Sequence, residues 1–320
     1  GGTSSPMRTR SSFQRANIFQ LIFRGSSPGT YRRVSKSSSL RRRTPDWMRC
    51  SPPAPPSLSP TEVSDASGIT VNEPDAGAVL MDPGGSWQGA AKLHDAIRTV
   101  TDQPVVHVIN TGGQDHRWLG NGYWQAQGAT VIASTAAVED HHNRAQDHMI
   151  ALSQFLGEGL EGTKPAYADV TFETDYTLEL GGFSFDIMHR GAAHTPGDSF
   201  VWLDERDVMF TGDIVYVDRI LGNGPARDTD SWIAVFKAMA AFEPAHIVPG
   251  HGRATDLAEA TRETHDYLVN LRTRIGALIE NGGSIIDAPK IDQSEWSYLA
   301  QFDALAGRNA QATFEEMEWE

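Results

Sequence analysis

Three turns in the second half of the chain each carry one side chain that can bind a metal ion. His194, Asp213 and His251 each lie on a turn rich in Gly or Pro, just after a short apolar run. Glycine in such a turn lets the backbone approach closely and directs one side chain into a shared cleft. Imidazole nitrogens and carboxylate oxygens are the ligands expected for zinc, iron or manganese. The three turns therefore predict one metal site built from residues that are distant in sequence.

The order of these turns resembles the metallo-β-lactamase-fold hydrolase superfamily, which includes glyoxalase II-like thioesterases, lactonases and β-lactamases. The resemblance is carried by Gly191–Ser199, Phe210–Asp213 and Val248–Gly252, and it extends over residues 76–252. Asp82-Pro83-Gly84 also matches the Asp-x-Gly turn that lies under the family's metal site. The resemblance implies an α/β fold, a four-layer αββα sandwich, with a helical appendix at the C-terminus.

A fourth motif, Asn110–Asn121, departs from the family pattern Asn-Thr-His-x-His-x-Asp-His-x-x-Gly-Asn. Both ends match, but the two leading histidines are absent. When the motif is aligned without gaps, Gly112 and Gln114 replace these histidines and His116 takes the Asp position. In either alignment the family's all-histidine first site loses two of its three ligands.

The alternative alignment deletes one residue from the loop. Asp115 and His116 then keep the Asp-His roles of the second metal site, whereas the ungapped alignment leaves Arg117 in the last His position. We prefer the gapped alignment, because an Asp-His pair that opens a helix suits the second site and loop length changes more easily than ligand chemistry. Both alignments stay open at this stage.

The resemblance implies a metal-dependent hydrolase, and the loss of the two leading histidines favours one zinc per chain, although iron and manganese also suit imidazole and carboxylate ligands. Bound zinc lowers the pKa of water to about 7, which makes hydroxide available to attack a thioester, ester, lactone or amide carbonyl. As catalytic residues we expect Asp115, which would move the proton, and Gln114, which would donate a hydrogen bond to the substrate oxygen. The expected metal ligands are Asp115, His116, His194, Asp213 and His251.

Two other functions are compatible with the sequence. The first is a catalytically inactive protein that binds a metabolite in the same cleft, which the loss of two histidines favours. The second is a mononuclear iron oxygenase that acts on a thiol or persulfide; it ranks last because relatives with that chemistry use the leading histidines. A binding protein would lack stoichiometric metal, and only an oxygenase would consume oxygen with a thiol substrate.

The charge distribution bears on the partners of the protein. Residues 1–60 contain 11 Lys and Arg but a single acid, net +10, whereas the remainder of the 320-residue chain is net −24 and the whole is −14. A body this acidic argues against nucleic acid, because phosphate binding needs clustered Lys and Arg. No apolar run reaches the length of about 18–20 residues that a membrane span needs, and Cys50 is the single cysteine. We expect a small-molecule substrate, no membrane partner and a possible homodimer through the C-terminal helices.

Composition divides the chain into three parts. Residues 1–60 form a basic Ser/Arg/Pro-rich extension without foldable pattern, residues 61–252 form the metallo-β-lactamase-like domain, and residues 253–320 form the helical appendix packed on it. The extension is either a transit-type targeting segment, which is typically rich in Arg and Ser and poor in acids, or an upstream stretch that is not natural. The predicted location is cytoplasmic by default, and organellar or exported if the extension is a targeting segment.

Two further sets of residues have open roles. His141 and His142 lie on a predicted helix, 136–157, and their polar neighbours favour a solvated helix face over a ligand role. Arg219 lies in an irregular stretch that Asp213 places beside the site. It can hold a substrate carboxylate or form a structural salt bridge.

Overall fold

A computed structural model describes residues 76–224, 226 and 228–320 of the chain. The predicted extension, 1–60, lies outside the described residues. Nine strands are present in the described part. They are β1 (Ala78–Met81), β2 (Val105–Ile109), β3 (Thr130–Ser134), β4 (Val170–Phe172), β5 (Asp175–Leu180), β6 (Phe183–His189), β7 (Ser199–Leu203), β8 (Val208–Tyr216) and β9 (His246–His251).

The strands form two sheets. The first contains β1 to β4 in sequence order, and all of its neighbouring strands are parallel. The second contains β5 to β9 in sequence order; β5 to β8 are antiparallel, and β9 runs parallel to β8. Gly181 and Gly182, both at positive φ, join β5 to β6. Positive φ at both positions suits the tight turns of β-hairpins.

Seven α-helices accompany the sheets in the described residues. They are α1 (Trp87–Arg98), α2 (Asn121–Ala126), α3 (Thr135–Leu156), α4 (Thr229–Ala240), α5 (Leu257–Ala260), α6 (Asp266–Glu280) and α7 (Phe302–Met317). Side-chain caps fix several helix starts: Ser86 accepts from the backbone N–H of Gly89, and Ser134 accepts from that of Ala137. Such a cap satisfies a backbone donor that the helix itself leaves without a partner.

The apolar side chains separate into layers that define the sandwich. One buried cluster lies between the two sheets and contains Met81 and Ile132 from the first sheet and Phe185 and Phe210 from the second. A second cluster packs α1 and α2 on the outer face of the first sheet. A third packs α4, α6 and α7 on the outer face of the second sheet. The fold is therefore the expected four-layer αββα sandwich, with helices on both outer faces.

The predicted helical appendix, 253–320, contains α5, α6 and α7. A π-helical turn at Thr261–His265 separates α5 from α6. The last helix, α7, runs from Phe302 to Met317 without a break. Tyr267 of α6 and Phe314 of α7 belong to the same buried cluster as the second sheet. No helix in the described ranges is long and apolar enough to span a membrane.

Candidate metal centre

Two glycines allow β8 and β9 to bring Asp213 and His251 together. A Cβ on Gly212 would collide with Thr111, and a Cβ on Gly250 would collide with the backbone of Gly212 and with the Asp213 carboxylate. Gly212 also has a φ of 48°, in the left-handed region that favours glycine. These contacts explain in physical terms why the two metal-type side chains are flanked by glycine.

Three of the predicted ligands converge: His116, Asp213 and His251. One ligand atom from each lies within 4.8 Å of the other two. His251 Nε2 is 3.2 Å from Asp213 Oδ1, and His116 Nε2 is 3.6 Å from Asp213 Oδ2. His116 Nε2 is buried and has no hydrogen-bond partner in the described structure. Two imidazole nitrogens and a carboxylate oxygen form a set that suits zinc, iron or manganese, so these residues fit a single metal ion.

Burial and neighbouring charges together set the charge states of Asp213 and His251. Burial opposes the ionisation of Asp213, but Arg117, His251 and His116 outweigh it and hold the pKa of the carboxyl well below its ordinary value. Burial also lowers the pKa of His251 to about 4, although Asp213 opposes this shift. The centre therefore presents an ionised carboxylate and a neutral imidazole at neutral pH, which are the protonation states that bind metals.

Arg117 also belongs to this centre, although the preferred, gapped alignment assigned it no role. Its Nη2 donates to Asp213 Oδ1 at 2.7 Å and to the Gly250 carbonyl at 2.8 Å, and its Nη1 donates to Asp82 Oδ2 at 2.8 Å. Burial works against the charge of Arg117, but Asp213 and Asp82 outweigh it and raise its pKa above the ordinary value. The guanidinium therefore orients the carboxylates of Asp82 and Asp213 next to the candidate metal group.

Asp82 occupies the turn that the sequence placed under the metal site. Its Oδ1 accepts from the Thr111 backbone N–H at 2.8 Å, and the Thr111 hydroxyl donates to both carboxylate oxygens. Burial raises the pKa of Asp82 although Arg117 and Thr111 lower it.

One sequence signal indicated that Arg117 belongs to this centre. The ungapped alignment puts Arg117 at a metal-ligand position of the family motif.

Asp115 lies beside the candidate group rather than in it. Its Oδ1 is 3.0 Å from His116 Nδ1 and accepts from the His116 backbone N–H at 2.7 Å. A proton on Nδ1 leaves the lone pair of Nε2 directed towards Asp213 and His251. A carboxylate that holds the second nitrogen of a ligating histidine fixes its tautomer and ring orientation. This geometry favours an orienting role for Asp115, and its predicted role as a direct ligand stays a prediction.

Replacing Asp115 with alanine tests which role it has. If Asp115 orients His116, the affinity for zinc should fall by about 10- to 100-fold, measured by competition with a chromophoric chelator. Asp147→Ala, on the exposed side of α3, is the control and should leave the affinity unchanged. An unaltered affinity in Asp115→Ala would remove the orienting role, and a complete loss of metal would support direct ligation.

The structure does not bring His194 and Gln114 into the group. His194 Nδ1 is 3.1 Å from the Gly222 carbonyl oxygen, and the ring packs against Trp232 and Tyr216. Gln114 Oε1 is 3.5 Å from Arg144 Nη1 on α3, and this glutamine is not among the residues that line the cavity beside the centre. Their ligand and catalytic roles stay predictions without support from the geometry.

The loop that lacks the leading histidines is packed against acidic side chains. A Cβ on Gly112 would collide with the Asp198 carboxyl, and a Cβ on Gly113 would collide with Asp140. Burial raises the pKa of Asp198 to about 8, and Asp213 adds to this shift. Arg144 bonds both Asp140 and the Gly113 carbonyl. A Cβ at position 112 would therefore have no room. In the described residues this loop does not form the all-histidine first metal site of the family.

The predicted solvated helix face is wrong for His141. His141 is fully buried and stacks on Trp118 with ring centroids 4.5 Å apart, and its Nε2 lies 3.0 Å from the Gly112 carbonyl oxygen. His142 is exposed, as expected, and its ring stacks on Tyr167. The polar neighbours of His141 misled the sequence reasoning, because two of them, Asp140 and Arg144, face the glycine loop and not water.

A cavity of about 700 Å³ opens beside the candidate metal group. Its polar lining includes Asp115, His116, Arg117, Arg219 and His251. Its apolar lining includes Met81, Leu93, Leu152, Leu156, Phe210, Val217 and Val248. Ala300 and Gln301 also line it, so the segment before α7 contributes to the pocket. A cavity of this size suits a small organic molecule.

His116 lies in a short helical turn, residues 115–117, Asp213 lies within β8 and not in the predicted turn, and His251 ends β9. An αββα sandwich with such a His-Asp-His group is typical of metal-binding hydrolase folds, and comparison with known proteins identifies the family. The model of the metallo-beta-lactamase superfamily matches residues 68–251. The match covers more than half of the chain, so the chain belongs to this superfamily.

Solved structures show the same fold. A metallo-beta-lactamase from Pontibacter korlensis is 24% identical with a TM-score of 0.51, over 62% of this chain and 85% of that one. The stereoselective inverting sec-alkylsulfatase Pisa1 from Pseudomonas sp. is 15% identical with a TM-score of 0.61, over 76% of this chain. This chain spans 46% of the length of the alkylsulfatase. At these identities the similarity establishes the fold alone.

Proposed function

We propose that the protein is a metal-dependent hydrolase that holds a single metal ion between His116, Asp213 and His251. The observation that carries the proposal is the buried His116 Nε2, which has no hydrogen-bond partner in the described structure and lies 3.6 Å from Asp213 Oδ2. A buried polar nitrogen without a partner is destabilising unless a ligand satisfies it. Because family members bind metal ions and the three residues suit one, a metal is the ligand that this geometry supports best.

A bound divalent metal would supply hydroxide at neutral pH and polarise a scissile carbonyl. The chain contributes the positioning of that reaction. Arg117 holds Asp213, and Asp115 holds His116, so that neither ligand needs to reorganise when substrate binds. The Asp115 carboxylate also lines the cavity, where it can accept a proton and return it to the leaving group. The substrate bonds that suit this arrangement are thioesters, esters, lactones and amides.

The proposal is tested by hydrolysis of an acyl thioester panel. The full chain, stripped with chelator and then reloaded with zinc, manganese or iron, should regain activity with one of these metals. His251→Gln should abolish the regained activity. His246→Gln is the matched control, because His246 is exposed at the other end of the same strand, and it should retain full activity. Equal rates before and after metal removal would contradict the proposal.

One observation favours a second function, a metabolite-binding protein without catalysis. Arg117 already donates to both carboxylate oxygens of Asp213, at 2.7 and 3.3 Å, so a cation already neutralises the carboxylate that should bind metal. Under this alternative the purified chain contains no stoichiometric metal, and Asp213→Ala changes ligand affinity little. A metal ion that copurifies with the protein and is lost in Asp213→Ala would exclude it.

A further inference from the structure

Arg219 lies in the wall of the cavity that contains the candidate metal group. It lies shortly after the end of β8 at Tyr216, and its backbone is fixed against the segment before α7. The Ile220 N–H donates to the Ala300 carbonyl at 3.0 Å, and the Ala300 N–H donates to the Asp218 carbonyl at 3.1 Å. The main chain at Arg219 is therefore held from both sides, and its side chain starts from a defined position.

The Arg219 guanidinium also packs over an aromatic ring. Its central carbon lies 5.6 Å from the centroid of the Tyr216 ring, within the range of a cation–π contact. Tyr216 in turn stacks on His251, with centroids 4.7 Å apart and an interplanar angle of 28°. Arg219 is thus connected through one aromatic ring to a candidate metal ligand.

The positive charge of Arg219 has no carboxylate partner in the part of the chain that the structure describes. The three acids that line the cavity already have other partners: Asp82 pairs with Arg117, Asp115 contacts the imidazole of His116, and Asp218 pairs with Arg253. The Nε of Arg219 is buried and likewise without a hydrogen-bond partner among the described residues. The sequence left two roles open for Arg219, a structural salt bridge and the binding of a substrate carboxylate. Among the described residues no acid is placed to form the salt bridge.

A guanidinium with unused donors in a ligand cavity suits a planar anion, because its parallel N–H groups match the two oxygens of a carboxylate. The remaining wall carries Leu93, Leu152 and Val217, which suit an aliphatic chain. We propose that Arg219 is a specificity-determining residue that binds a carboxylate at the far end of the acyl chain. The preferred substrates are then half-thioesters or half-esters of aliphatic dicarboxylic acids. This inference rests on the proposed hydrolase function.

The test compares two N-acetylcysteamine thioesters of equal chain length, glutaryl and pentanoyl, which differ in the terminal carboxylate. The protein should prefer the glutaryl thioester, and Arg219→Gln should lower the glutaryl-to-pentanoyl ratio of kcat/KM by about 10- to 100-fold, the range for a hydrogen bond to a charged group. The pentanoyl rate should change much less than the glutaryl rate. Arg219→Lys, which keeps the charge but loses the paired N–H groups, should retain part of the preference.

Arg206→Gln is the matched control. Arg206 also has a buried Nε without a partner in the described structure and lies over an aromatic ring, that of Phe183 at 5.0 Å. It precedes β8 at the opposite end from Arg219. The control removes the same charge and a similar ring contact, and it should leave the ratio unchanged. If Arg219→Gln leaves the glutaryl-to-pentanoyl ratio of kcat/KM unchanged, whether or not both rates fall, Arg219 does not determine specificity.

A binding measurement separates this inference from the hydrolase proposal. Titration calorimetry with glutarate and pentanoate, the two product acids, requires no turnover. Glutarate should bind more tightly than pentanoate to the wild-type chain, and Arg219→Gln should remove the difference. If neither thioester is hydrolysed but this difference is found, the hydrolase proposal fails and Arg219 still binds the carboxylate. If both thioesters are hydrolysed and the two acids bind equally, Arg219 does not recognise a carboxylate.

Discussion

Replacing Arg117 with methionine should lower the free energy of unfolding by about 3–5 kcal/mol, the usual cost of removing one partner from a buried ion pair. Methionine replaces most of the aliphatic part of the arginine side chain. The variant leaves Asp82 and Asp213 as neighbouring buried carboxylates without their shared cation. Urea denaturation monitored by tryptophan fluorescence measures the change. The loss should be smaller at acidic pH, because protonation removes the repulsion between two carboxyl groups.

Two variants make the Arg117 result specific. Arg262→Met removes an arginine that is half exposed and also pairs with two acids, and it should cost less than about 1 kcal/mol, as surface ion pairs do. Adding Asp82→Asn to Arg117→Met should recover part of the lost stability, because it removes one of the two buried charges. If Arg117→Met costs no more than Arg262→Met, Arg117 does not hold the two carboxylates together.

Asp213→Asn should reduce thioester hydrolysis by at least about 10³-fold, since metal-ion catalysis supplies several kcal/mol of transition-state stabilisation. The substitution removes the charge that joins the two imidazoles and retains the size of the side chain. Arg117 keeps its bond to Asp82, so the fold should survive, which the circular dichroism spectrum checks.

Asp204→Asn provides the comparison for Asp213→Asn. Asp204 is exposed in the short turn before β8, and its substitution should leave the hydrolysis rate unaltered. Retained hydrolysis in Asp213→Asn would show that the reaction does not depend on the His116, Asp213 and His251 group.

Glycine-rich turns made much of the site predictable. The residues around Asp213 and His251 are punctuated by glycines that the structure requires, because a Cβ on Gly212 or Gly250 would collide with the neighbouring turn. Such positions leave a local signature, and their order along the chain indicated the αββα fold.

Contacts between distant segments were not predictable in the same way. Arg117 has a long side chain, and the motif did not reveal that it would reach past His116 to Asp213 and Asp82. His141 was mistaken for an exposed residue because its polar neighbours Asp140 and Arg144 contact the loop at Gly113 and not solvent. In both cases the deciding partner lies on another element, so local pattern carries no information about it.

If the chain holds one metal ion between His116, Asp213 and His251, its metal content will show it. Plasma mass spectrometry on the purified full chain, next to Asp213→Asn, gives the stoichiometry. We expect about one tightly bound metal ion per wild-type chain and none in the variant. Two ions per wild-type chain would contradict the single-ion site, and an absence of metal from the wild type after reloading would contradict the metal centre itself.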